Sequence, residues 1–192
     1  MADHKVLITT SGLGSRLGNL TNHTNKSLVR VGNIPAISHI VSAYPKDTRF
    51  VITLGHFGDH VKDYLELAHP ENSFTFVNVD RYEGPGTSLA YSILQAKKEL
   101  QEPFVFHACD SIVVDNIPLD AEHNWCMGAR KKQNSQYRTL RVSGDKIVNI
   151  NEKGELCFDY SYIGICKILD YSLFWKCLEN LDFSKSDVSD CH

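Results

Sequence analysis

No stretch of this sequence approaches the roughly 18 consecutive apolar residues of a membrane-spanning helix. Basic residues are in slight deficit: 20 Lys and Arg against 23 Asp and Glu give a net charge of −3. Nothing in that balance suggests a nucleic-acid footprint, which needs a basic patch or stripe. None of the six cysteines forms a Cys-x-x-Cys pair, so the usual zinc spacing is missing too. Met1-Ala2-Asp3-His4-Lys5 leads straight into an apolar run without the layout of a signal peptide. These absences set the expectation of a cytoplasmic protein with neither nucleic acid nor membrane as a partner. What remains is ordinary globular composition, 42% hydrophobic over 192 residues, enough for one sizeable core and read as a single domain over 1–192. Cys109, Cys157 and Cys166 lie in apolar runs and are expected as reduced, buried core residues.

The most informative stretch runs from residue 6 to residue 32. A β-branched run, Val6-Leu7-Ile8-Thr9-Thr10, breaks into Ser11-Gly12-Leu13-Gly14-Ser15-Arg16, and Lys26 follows in a polar segment. A buried strand feeding a glycine-rich turn brings backbone N–H groups close to phosphate. Glycine permits the approach, and successive amides form an anion nest. Arg16 and Lys26 would add positive charge where a polyphosphate is negative. The spacing alone fits a plain strand-to-loop turn with solvated cations equally well. The dinucleotide fingerprint is excluded because its third glycine is missing, and the P-loop because no Gly-Lys-Ser/Thr ends the turn.

Downstream, the pattern alternates. Ala36 to Val41 reads as a short amphipathic helix ended near Tyr44-Pro45, Arg49 to Leu54 as a buried strand stopped by Gly55, and His56 to Ala68 as a helix. Phe74 to Val79 is a further strand. This order predicts an α/β fold with a parallel sheet and helices on both faces, whose ligands sit beyond the carboxyl ends of the strands. A second loop, Asp80 to Leu89, contains the turn Gly84-Pro85-Gly86, and Thr87 or Ser88 can cap the helix that starts there. The strand Pro103 to Cys109 ends in Asp110. A carboxylate at that edge suits Mg²⁺, which takes one or two protein carboxylates together with substrate phosphates, but it suits a helix cap as well. Asp115 is a weaker candidate of the same kind. Trp125 to Arg130 reads as a strand followed by a polar loop from Lys131 to Ser135. Thr139 to Val142 and Lys146 to Ile150 flank Ser143-Gly144-Asp145 as a hairpin, and Tyr171 to Leu181 reads as a last helix.

Taken together, Gly12-Leu13-Gly14-Ser15-Arg16, Asn25-Lys26-Ser27-Leu28 and Gly32-Asn33-Ile34-Pro35 resemble the sugar-phosphate nucleotidyltransferase family, including its choline-phosphate cytidylyltransferase-like members. The family signature is a strand, Gly-x-Gly-Ser/Thr-Arg, a spacer, Lys-Pro-Leu and a Gly-Lys-Pro turn. This chain departs from it at Thr10-Ser11 and at Asn25 and Ser27, which stand where prolines flank the lysine. The resemblance implies a Rossmann-like three-layer α/β/α sandwich with a mostly parallel central sheet, of the nucleotidyltransferase or GT-A-like kind. It implies that Ser11, Gly12, Leu13, Gly14 and Ser15 hold a nucleoside triphosphate, with Arg16 and Lys26 as catalytic cations. Gly86, Thr87 and Ser88 would contact the nucleotide, and Asp110 would hold Mg²⁺. Glu152, Lys153 and Gly164, the last in Tyr162-Ile163-Gly164-Ile165, would lie near a phosphorylated acceptor.

The implied reaction transfers a nucleotidyl group from an NTP to a sugar phosphate or phospho-alcohol. CTP is favoured by the loop at 80–89, and surface polysaccharide synthesis is the implied context. Family members continue into a Trp-x-Asp-type segment whose Asp is a second metal ligand. Asp187 and Asp190 do not match it, so a C-terminally shortened chain, or one part of a longer protein, is expected. A non-catalytic nucleotide-binding domain stays open as an alternative. A GT-A-type glycosyltransferase is the other, although Asp110-Ser111-Ile112 is not its Asp-x-Asp motif. Oligomerisation is left open.

Overall fold

The computed structural model describes residues 4–130 and 137–183. The polar loop expected from Lys131 to Ser135, and the tail from Ser186 with Asp187 and Asp190, lie outside the described residues. In chain order the strands are β1 (Lys5–Thr9), β2 (Arg30–Val31), β3 (Ile34–Pro35), β4 (Arg49–Leu54), β5 (Ser73–Asn78) and β6 (Phe104–Ala108). They continue as β7 (Trp125–Ala129), β8 (Thr139–Ser143), β9 (Lys146–Asn151) and β10 (Tyr160–Ile168). The helices are α1 (Ala36–Ser42), α2 (Gly58–Ala68), α3 (Leu89–Gln95) and α4 (Tyr171–Glu179).

Val6, Leu7 and Ile8 have no exposed surface. Consecutive apolar residues, rather than alternating ones, mark a strand covered on both faces. β1 accordingly lies inside the sheet, parallel to β4 on one side and to β6 on the other. Successive side chains of a strand point to opposite faces, and here they feed two cores. Val6 and Ile8 pack with Ile37, Ile40 and Val41 of α1 and with Val61 and Leu65 of α2. Leu7 packs with Ile93 of α3 and with Trp175 and Leu178 of α4. Full burial of each such aliphatic side chain contributes about 1.5–3 kcal/mol. The three-layer arrangement follows from these two faces.

The sheet runs β5-β4-β1-β6-β10-β8-β9, with β7 beside β10. The parallel core β5-β4-β1-β6 is the expected one. Beyond β6 every pairing is antiparallel. Of these pairs only β8–β9 is a hairpin with a short connection; β10 returns from far along the chain to lie beside β6 and β7. α1 is more enclosed than an amphipathic reading predicts: Ala36, Ile37, Ser38, Ile40 and Val41 are all buried. Cys109 is buried as expected and Cys166 partly so, but Cys157 is exposed. It lies after the hairpin in a segment that packs on no core, which corrects the expectation of a buried residue. No helix among the described residues is long and apolar enough to cross a membrane.

Candidate active site

The carboxyl ends of β1 and β6 open onto a cleft of about 330 Å³. From the first loop come Ser11, Gly12, Leu13, Gly14, Ser15 and Arg16, and Lys26 stands close by. From the loop after β5 come Thr87 and Ser88, and Asp110 follows β6. Elements far apart in sequence meet here because the parallel core puts their strand ends side by side.

Each part of the first loop is held from behind. Thr10 N–H and Thr10 Oγ1 both donate to Thr53 O, at 3.1 and 2.7 Å. His56 N–H donates to Ser11 O at 3.0 Å. Ser11 is buried, its hydroxyl 2.8 Å from that of Ser92 at the back of the cleft. A side chain at Gly55 would place its Cβ 2.6 Å from Ser11 O, so the turn after β4 must be glycine for the loop to lie this close. Gly14 adopts a left-handed conformation, φ 69 and ψ 29. A Cβ there would meet Lys26 Cβ and Thr21 Cγ2, each at 2.9 Å. Thr21 also returns its hydroxyl to Gly14 O at 3.2 Å. Lys26 thus rests its stem on Gly14 and sends its ammonium to Asp110 Oδ2, 3.3 Å away.

Electrostatics keep that lysine charged. Burial pushes the Cys109 thiol beside it up to about 11, with Lys26 drawing it the other way. Cys109 is therefore a protonated neighbour at neutral pH. Lys26 is held above the ordinary lysine value, first by Cys109, which acts only where its thiol ionises, and then by Asp110, against the cost of burial. Its charge persists throughout the neutral range.

Asp110 is carried on a braced turn. Ser111 N–H donates to Ala108 O at 3.1 Å, and Ser111 Oγ donates to Ile163 O. The fully buried His107 places Nε2 at 2.7 Å from Ser111 O. A carbonyl can only accept, so the proton sits on Nε2 and Nδ1 accepts from Tyr44 Oη at 2.7 Å. Burial lowers the His107 pKa, opposed by the Ser111 carbonyl and by Asp110, and burial lowers that of His69. Both rings are thus neutral when folded and gain protons on unfolding, so the unfolded chain binds more protons as pH falls through about 6.5. Their contribution is complete above that pH and is lost in acid. Denaturant unfolding between pH 7.5 and 5 is expected to show a falling stability. His107→Gln should reduce that slope by up to about 1.4 kcal/mol per pH unit, and equal slopes in both proteins would refute a neutral buried ring.

The structure separates some residues that the sequence grouped. Thr87 Oγ1 donates to Gly84 O at 2.8 Å, and Ser88 Oγ caps α3 by accepting from Tyr91 N–H at 3.0 Å. Gly86 has φ 82 and faces Arg81, and it does not line the cleft. Gly164 has φ 78, and a Cβ there would meet Ala108 Cβ at 2.8 Å, so it packs β10 against the end of β6 behind the cleft. Glu152 and Lys153 are exposed and away from the cleft lining, and Glu152 pairs with Arg138 at 3.1 Å. Tyr82, Glu83, Ser92 and Tyr137 line the cleft and were not singled out by motif. Alternating Tyr-Glu before a Gly-Pro-Gly turn is the only local signal, and it is weak.

A metal would find one carboxylate at the strand edge, Asp110. Its side chain is 60% exposed and so accessible. Among the described residues no group of three or more His, Cys, Asp or Glu could hold a metal ion. His56 and His60 do stand at i, i+4 spacing, but His56 Nε2 is engaged at 3.2 Å with Thr21 O and both rings contact Phe57. A single hard oxygen donor fits Mg²⁺ bound jointly with substrate phosphates, and it does not fit a resident protein cage.

No family model matches the chain. A 74-residue stretch, 37% of the chain, is 32% identical to the probable glucose-1-phosphate cytidylyltransferase of Bacillus subtilis (strain 168), and it spans 29% of that relative. The UDP-glucose pyrophosphorylase from Acinetobacter baumanii superposes with a TM-score of 0.78 at 17% identity, over 96% of this chain and 80% of that one. The CTP:phosphocholine cytidylyltransferase from Streptococcus pneumoniae gives 0.73 at 20% identity, over 93% and 77%. One stretch of the sequence is thus similar to a cytidylyltransferase, and nearly the whole chain has the fold of solved nucleotidyltransferases.

Proposed function

We propose that the chain transfers a nucleotidyl group from an NTP to a sugar phosphate or phospho-alcohol and releases pyrophosphate. The observation that carries this reading is the convergence of the Gly12–Arg16 loop, Lys26 and Asp110 on one cleft. The acceptor phosphate oxygen attacks the α-phosphorus, the bond from the α-phosphorus to the bridging oxygen breaks, and pyrophosphate leaves in line. The acceptor phosphate is ionised near neutral pH, so no general base is needed. The residues contribute alignment and neutralisation of charge.

Loop amides and Arg16 hold the β- and γ-phosphates. Lys26, kept charged at neutral pH, faces the α-phosphate and the incoming phosphate. Ser92 and Ser11 close the back of the cleft. Asp110 is the residue that would hold Mg²⁺, which supplies Lewis-acid neutralisation of the phosphates when bound. CTP is the favoured nucleotide. The cytidylyltransferase names among its relatives support that choice, and the loop at 80–89 was its first indication. Synthesis of precursors for surface polysaccharides is the accompanying context.

The test is pyrophosphate release with Mg²⁺ across four NTPs and a panel of sugar phosphates and phospho-alcohols. Release with one NTP–acceptor pair, dependent on metal, is the expected result. Nucleotide binding without release for any pair would replace this reading with a non-catalytic nucleotide-binding domain.

A further inference from the structure

The sequence around Lys26 reads Asn-Lys-Ser, with polar residues where the resembling family has prolines on both sides of the lysine. The structure shows what Asn25 does there. Its side chain has no exposed surface, and its primary amide uses its full capacity of two donated and two accepted bonds. Nδ2 donates to Thr10 O at 2.7 Å and to His56 O at 2.6 Å. Oδ1 accepts from Ser27 N–H at 2.9 Å and from Ser27 Oγ at 2.8 Å. One side chain therefore ties together the end of β1 just before the glycine loop, the turn after β4, and the single turn that carries Lys26.

The backbone of Asn25 is extended, φ −71 and ψ 146, close to the φ that a proline ring would fix. Hydrogen bonds hold here what a ring could hold covalently. They also do more, because they fix this turn against two other segments of the site. Lys26 follows directly, with its stem against Gly14 and its ammonium 3.3 Å from Asp110.

We propose that Asn25 is a positioning residue for Lys26, setting the distance between that ammonium and the glycine loop. This rests on the nucleotidyltransferase reading of the cleft. The amide bonds run to Thr10, His56 and Ser27, in the segments that shape the cleft. Loss of Asn25 therefore moves the lysine before it loosens the sheet. A displacement of about 1 Å in a reacting constellation can cost on the order of 100-fold in rate.

The test uses Asn25→Asp, which keeps the size and the Ser27 bonds but turns an oxygen toward Thr10 O and His56 O, together with Asn25→Ala. Each is measured in the wild-type and Lys26→Ala backgrounds. On its own, each change is expected to lower kcat by on the order of 10- to 100-fold, with a smaller change in KM for the NTP. In the Lys26→Ala background the same changes should cost little, because groups acting through one another are not additive. Full multiplicative losses in both backgrounds would overturn the proposal. So would unchanged kcat in the single variants. If the wild-type protein turns over no NTP–acceptor pair, the nucleotidyltransferase reading fails and Asn25 is judged separately. The readout is then the NMR contact between the Lys26 side chain and Gly14. Its loss in both Asn25 variants supports positioning, and its persistence unchanged refutes it.

Discussion

Asp110→Asn is expected to lower metal-dependent nucleotidyl transfer by about 1000-fold, or about 4 kcal/mol of transition-state stabilisation. The substitution keeps the shape and one oxygen, and it removes the charge. Within the cleft the carboxylates are Glu83 and Asp110, and Asp110 alone follows directly from the parallel core, on the turn braced by His107 and Ser111. A hard cation brought in by a triphosphate would lose its protein anchor. Folding should barely register the change. The Lys26–Asp110 pair is partly exposed, 25% and 60% by side chain, and such pairs contribute about 0–1 kcal/mol. The measurement is kcat/KM as a function of Mg²⁺, beside thermal unfolding. Activity within tenfold of wild type would remove Asp110 from the metal role. A large loss of stability would mean that the carboxylate serves the fold.

Much of the fold could be read from the chain because its strands are buried on both faces. Val6-Leu7-Ile8 and Phe50-Val51-Ile52 are unbroken apolar runs, and runs of that kind separated by helical spacing predict a parallel core. The antiparallel half was less legible. Residues 125–129 and 160–168 pair with each other through a register shift between Tyr162 and Cys166, and partner choice at that distance leaves no periodic trace. Within the site, the glycine loop, Lys26 and Asp110 announce themselves by residue type. The residues that hold them do not. Asn25 looks like a polar loop residue, Gly55 like a strand stop, and His107 like one apolar-strand histidine among nine. Their roles rest on contacts 15 and 31 positions away for Asn25 and 63 for His107, and on the approach of Gly55 to Ser11. Conversely, Glu152 and Lys153 carry the right chemistry in the expected order and are exposed just after β9, where Glu152 pairs with Arg138, next in sequence to the cleft-lining Tyr137.

Gly14→Ala tests whether the loop is held to its shape by Lys26, and it is expected to damage both stability and rate. A non-glycine residue in the left-handed region costs about 1–2 kcal/mol, and Gly14 sits at φ 69. The new methyl would also lie 2.9 Å from Lys26 Cβ and from Thr21 Cγ2. Lys26 Cβ is one bond from the backbone, so relief requires the whole Lys26 turn to shift. The Asn25 hydrogen bonds resist that shift, so part of the cost appears as strain. A total near 2 kcal/mol corresponds to a fall in Tm of about 4–8 °C for a domain of this size. Turnover should fall by on the order of 100-fold through misplacement of the lysine. Gly12→Ala supplies the internal comparison. Nothing lies within 4 Å of a Cβ at that position, and its φ is not among the positive ones. Its stability should stay within about 0.5 kcal/mol of wild type, and any loss of rate there reports close approach of the nucleotide to the backbone. Equal effects of the two alanines on Tm would mean that the contact between Gly14 and Lys26 does not shape the loop. A stability loss confined to Gly14→Ala, with both variants slow, would separate the glycine that builds the cleft from the one that admits the phosphate.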